Sequence, residues 1–142
     1  EYPAIAYWLA RSNPFSNLLP DNMDLQARAL EIMDYCVATV HMQGFTRIFR
    51  PGNFSPDAAQ DESVKARGKE IVAKGFETLN AALAGKEYAV GPFSIADSEL
   101  FYVEFWAAAR LSMTLPPNVA AHYDRMKSRP AVQRTMQQEG VA

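Results

Sequence analysis

The sequence predicts an all-α helical bundle, and three observations carry that expectation. Apolar residues recur at three- and four-residue steps in almost every segment, which is the signature of helices with buried faces. Prolines and glycines fall between those segments, with prolines at the favoured first position of several of them. No convincing strand is found.

Each element can be justified in order. PAIAYWLAR (3–11) is a short helix opened by Pro3, and SNPFSNLLP (12–20) is a connector with two prolines. Asp21 or Asn22 can cap a long helix running to about Arg50. That helix has two apolar seams. Leu30, Met33, Val37, Val40 and Gly44 form one; Leu25, Ala29, Ile32 and Cys36 form the other. Two seams imply contact from more than one side. RPGNFSPDAAQ (50–60) is a loop. A helix from about Asp61 to Ala84 carries Val64, Gly68, Ile71, Gly75, Leu79 and Ala82 on one side, and Gly85 is its stop signal. Each interior glycine weakens a helix by roughly 1 kcal/mol relative to Ala. Close approach of a neighbouring helix is the compensation to look for.

The segment GPFSIADSELFYVEFW (91–106) opens the least amphipathic helix, in which only Glu99, Glu104 and Arg110 are obviously polar. Such a helix belongs at the centre of a bundle. Ser94 and Asp97 have the spacing of a capping box, with Asp in place of the commoner Glu. The carboxylate therefore reads as structural, and losing it should cost about 1–2 kcal/mol. TLPP (114–117) ends the helix. Two short helices follow, at about Asn118 to Lys127 and Pro130 to Gln138; the first is expected at the surface, with no role assigned to His122.

Composition narrows function without naming it. The chain has 142 residues, 49% hydrophobic and 21% charged, as an ordinary globular domain does. A net charge of −2 and the absence of any basic tract point away from nucleic acid and anionic membrane surfaces. Cys36 is the single cysteine, so an internal disulfide or a cysteine-built zinc site is excluded, in keeping with a reducing compartment. No metal site is expected. No apolar run reaches membrane-spanning length.

The order of these motifs resembles one family. GPFSIAD before a buried helix is similar to the capping box of the C-terminal domain of cytosolic glutathione S-transferases. EYPAIAYWLA resembles the start of the last helix of that family's thioredoxin-like domain, and PPNVAAHYDRMKSRPAVQRTMQQEG resembles the last helices of its bacterial members. The resemblance implies three parts: residues 1–11 as the last helix of a thioredoxin-like domain otherwise missing, 12–20 as the interdomain linker, and 21–142 as the helical C-terminal domain. It implies a cytoplasmic, homodimeric bacterial enzyme that conjugates glutathione, its co-substrate, to hydrophobic electrophiles.

Site residues follow from the same resemblance. Glu1 and Tyr2 match the pair at the helix start where the γ-glutamyl carboxylate of glutathione binds, a position where free N–H groups favour an anion. Tyr2 stands where serine is usual. Asp34 matches a polar residue able to reach the glutathione ammonium across a dimer interface; a plain surface charge is the alternative. His41 shares a face with Phe45 and Phe49, and the resemblance places His41, Phe45 and Trp106 around the electrophile; a hydrogen-bonded histidine at the bundle edge and a core tryptophan are the alternatives. Glu99 stands where beta-class members have tyrosine, so it either makes the pocket more polar or points to solvent. Arg47 and Arg50 read as solvated charges or partners of a substrate carboxylate. No catalytic nucleophile is expected within these residues, and they alone should not catalyse. The competing reading is a non-catalytic module of the same fold that serves dimerisation or protein assembly, which the departures at Tyr2 and Glu99 keep open.

Overall fold

The computed structural model describes residues 1–141, and within them the chain is helical with no β-strand, the nearest thing being a single bridge between Tyr88 and Gly91. Helix α1 (Tyr2–Ser12) leads through a 3-10 turn at Pro14–Ser16 to α2 (Met23–Asp34). Asn22 caps α2, its Oδ1 accepting the Leu25 N–H at 2.9 Å. The rod continues as a π-helical stretch, Tyr35–Phe45, and ends as α3 (Thr46–Phe49). Regular α periodicity had suggested a uniform helix here. The difference lies in the backbone register, since the Thr46 N–H and hydroxyl both turn to the His41 carbonyl five residues back.

Helix α4 (Asp61–Ala82) packs along the π stretch and α3, and its glycines explain how closely. A Cβ on Gly68 would lie 2.8 Å from the Gly44 carbonyl oxygen, and one on Gly75 would lie 2.8 Å from Val40 Cγ2. Gly44 is equally tight against Val72, at 2.6 Å. Three glycines at one crossing let two helices meet backbone to side chain, which compensates their poor helix propensity. Gly85 then turns the chain with φ of 71°, a conformation that favours glycine.

Helix α5 (Ile95–Phe105), extended by a π turn at Trp106–Arg110, is the axis of the bundle and touches α1, α2, the π stretch and α6. Ile95, Ala96, Leu100, Val103 and Ala107 are buried with Met33, Cys36, Val40 and Val119. The helix is not covered all round, however. Phe101 and Phe105 are only half-buried and Tyr102 is 40% exposed, so one side of α5 stays open. After Ser112, with φ of 52°, the chain reverses into α6 (Pro117–Ser128) and α7 (Pro130–Gln138).

The start of α5 is held by more than a cap. Asp97 Oδ2 accepts the Ser94 N–H at 2.7 Å, while Ser94 Oγ accepts the Ala96 N–H at 3.3 Å. The other oxygen, Oδ1, accepts the Ala89 N–H at 2.7 Å and meets His122 Nε2 at 3.1 Å. On the far side of that ring, Nδ1 lies 2.9 Å from both oxygens of Glu104. Here the expectation of a surface position for His122 is corrected: α6 is amphipathic, and its histidine points inward to full burial between two carboxylates. Burial alone would lower the imidazole pKa, but the hydrogen bonds and charges of Asp97 and Glu104 outweigh it and raise it to about 9. The ring is therefore a buried imidazolium at neutral pH.

Candidate functional site

Two clefts open beside α5, and they share His41 and Tyr102. The smaller, of about 320 Å³, lies between the π stretch, α3 and the C-terminal end of α5. Its walls are His41, Phe45, Phe49, Arg50, Tyr102 and Trp106. The π register does not scatter the side chains placed four apart: the Phe45 and Phe49 centroids are 6.3 Å apart, and Phe49 meets Trp106 edge-on at 5.2 Å. The His41 ring lies 5.5 Å from that of Tyr102. The fold thus brings His41, Phe45 and Trp106 into one aromatic cleft, although Trp106 is distant from the others in sequence.

His41 is the polar group of that wall. Partial burial lowers its pKa, against the opposing pull of Glu1, so the imidazole is neutral at pH 7 and can both donate and accept. Arg50 lines the same cleft, whereas Arg47 is stacked on Phe54 at 4.0 Å and bonded to Gln43. Of the two arginines only Arg50 faces the candidate site.

The larger cleft, of about 760 Å³, runs from the start of α1 across the open face of α5 to α7. Glu1 and Tyr2 stand at one end of it. No side chain caps the first turn of α1, so the N–H groups of Tyr2 and Ala4 are free to face an anion, while Pro3 between them has none to offer. The Tyr2 side chain turns toward α5. Burial first, then the charge of Glu99, push its phenol up to about 12, with the Ser98 hydroxyl opposing. Tyr2 is therefore a neutral phenol packed on α5 and does not replace a short serine at the helix end.

Glu99 settles on one of its two alternatives: it is only 3% exposed, lines the large cleft and does not point to solvent. Burial raises its carboxyl pKa to about 7, and among the described residues no hydrogen bond or opposite charge pulls it back. Asp34 sits exposed at the end of α2 and lines neither cleft. Cys36 is fully buried, and burial, followed by the charges of Glu99 and Glu104, raises its thiol well above the ordinary range, so it is no nucleophile. Sequence reasoning missed Tyr102, which joins the two clefts. Its signal was present in the i, i+4 step from Tyr102 to Trp106, which sets both rings on one side of the helix.

Comparison with known proteins gives these clefts a context. No family model matches the chain. The chain is 33% identical over 141 residues to the glutathione S-transferase GstA of Escherichia coli O157:H7, a match that takes in 97% of this chain and 66% of that protein. The chain thus spans just under two thirds of the length of the curated relative it matches. Among solved structures, a sphingomonad glutathione S-transferase complexed with glutathione superposes with a TM-score of 0.83 at 29% identity, over 100% of this chain and 68% of that one. A glutathione S-transferase from Xylella fastidiosa has the same fold, with a TM-score of 0.88 at 20% identity over 100% of this chain and 70% of that one.

Proposed function

Because the chain belongs to the glutathione S-transferase family, we propose that it forms the helical, electrophile-binding portion of an enzyme that joins the glutathione thiol to apolar electrophiles. One observation carries the reading: an aromatic cleft walled by His41, Phe45 and Trp106 adjoins a larger one that begins at the uncapped start of α1. An apolar electrophile in the first and an anionic tripeptide end at the second would lie on either side of His41 and Tyr102.

The roles follow from chemistry. The free N–H groups of Tyr2 and Ala4 receive the glutathione γ-glutamyl carboxylate, a charge that the helix dipole also favours. Glu1 offers its carboxylate to the ammonium of the same end, and Asp34 approaches that ammonium from a second subunit. The aromatic walls bury the electrophile at roughly 25 cal/mol per Å² of apolar surface removed from water. His41, neutral and able to donate, hydrogen-bonds the electrophile where negative charge develops as sulfur adds. The thiolate itself is activated from a thioredoxin-like domain, of which residues 1–11 are the last helix; with its thiol raised by burial, Cys36 does not supply it. The enzyme works as a cytoplasmic homodimer. Exposed Ile5, Trp8 and Phe15 on α1 and the turn after it support burial against further protein, and no helix among the described residues is long and apolar enough to cross a membrane.

The test is to pass the full-length protein over immobilised glutathione and then assay thiol conjugation with 1-chloro-2,4-dinitrobenzene. Retention with turnover is expected. Neither retention nor turnover would replace the enzyme with a non-catalytic assembly module.

A further inference from the structure

We propose that Glu99 is the anchor for a basic nitrogen, and that the large cleft takes aromatic molecules carrying an ammonium group. The proposal goes beyond the transferase reading, which puts the electrophile in the small aromatic cleft and leaves the Glu99 wall of the large one unassigned. Glu99 sits on the open face of α5, 3% exposed, with its carboxylate on the cleft and unmatched by any donor among the described residues. Its oxygens are not sealed inside the protein, so a ligand in the cleft that supplies a charged donor can reach them and make a charge-assisted hydrogen bond.

The surroundings select the donor. Tyr2, Phe101 and Tyr102 line the same cleft as Glu99. Aromatic faces around a carboxylate favour a cation over a neutral or anionic group. Among the described residues that line the cleft, no cation is free to compete. Its arginine, Arg129, lies 3.5 Å over the Phe93 ring and donates to the Tyr88 hydroxyl at 3.0 Å, while His41 is neutral.

An isosteric ligand series tests this by calorimetry on the full-length protein at about pH 8, above the Glu99 value of about 7. The ligands are 1-naphthylmethylamine, 1-naphthylmethanol and 1-naphthoate. The amine is expected to bind at least about tenfold tighter than the other two, the size of one charge-assisted hydrogen bond. Glu99→Gln, which keeps size and shape, should erase that preference and leave the alcohol unchanged. Equal affinities in the wild type, a preference for naphthoate, or an amine preference that survives Glu99→Gln would each overturn the assignment. Glutathione retention is measured separately. Its loss alongside an intact amine preference would remove the transferase reading and leave Glu99 as the amine site.

Discussion

Glu99 and Glu104 stand five residues apart on one helix, and both are almost wholly buried, yet their surroundings differ completely. Glu104 ends on a histidine ring whose other nitrogen meets Asp97, so two carboxyl groups and an imidazole form a closed set that also caps α5; burial raises Glu104 to about 7 against the opposing hydrogen bond and charge of His122. Glu99 ends on a cleft and finds no partner among the described residues. The two histidines divide the same way: His122 is locked at full burial, while His41 is half-buried on a wall shared by two clefts. Burial therefore does not separate structure from function in this chain. What separates them is whether the polar group is already satisfied by the fold.

The sharpest test removes the satisfied set. Asp97→Ala deletes the cap, the acceptor for the Ser94 and Ala89 N–H groups and one partner of a buried imidazolium. A loss of about 3–5 kcal/mol in urea unfolding is expected, above the 1–2 kcal/mol of a cap alone. A loss under about 1 kcal/mol would mean that the cluster is not closed as described.

Acidity probes the same cluster without mutation. The folded His122 pKa lies near 9, above the ordinary histidine value of about 6.5. Its stabilisation is complete below pH 6.5 and is lost as pH rises toward 9, because the unfolded chain then releases a proton that the folded chain holds. Stability should fall by roughly 2–3 kcal/mol across that window. His122→Gln should flatten this fall, and a wild-type curve flat from pH 6.5 to 9 would contradict the charged ring.

On the cleft side effects should appear in activity before stability. His41→Ala in the full-length protein is expected to lower kcat/KM by roughly tenfold, the loss of one hydrogen bond to the reacting centre, with unfolding unchanged. Unaltered kinetics across several electrophiles would remove His41 from the site. The smallest effect is the most telling. Glu99→Gln should leave the protein as stable as before, or more stable by about 1 kcal/mol at pH 8, because it removes an unmatched buried charge. A marked destabilisation would place Glu99 in the same class as Glu104 and end the comparison.

Local features of this molecule were readable because their physics is local. The Asn22 cap, the Ser94–Asp97 box, the turn at Gly85 and the starts of α6 and α7 depend on residues within a turn of each other. The glycines at 68 and 75 announced a close crossing, and their Cβ positions are filled by the opposing helix, where Gly44 adds a third close approach that its place in a seam had not signalled. The cleft of His41, Phe45 and Trp106 came from family resemblance, since nothing in sequence spacing joins positions so far apart.

The sequence by itself determined that the chain is a helical bundle, where its helices begin and end, and which helix forms its axis, because periodicity, caps and backbone breakers act over a few residues. Only the tertiary structure decided that His122 closes on Asp97 and Glu104, across 25 and 18 residues, and that Glu99 faces a cleft instead. A helix angle of about 100° per residue puts several polar side chains near the core. Which of them meets a partner is settled by how neighbouring helices rotate against it, a long-range outcome that no local pattern encodes.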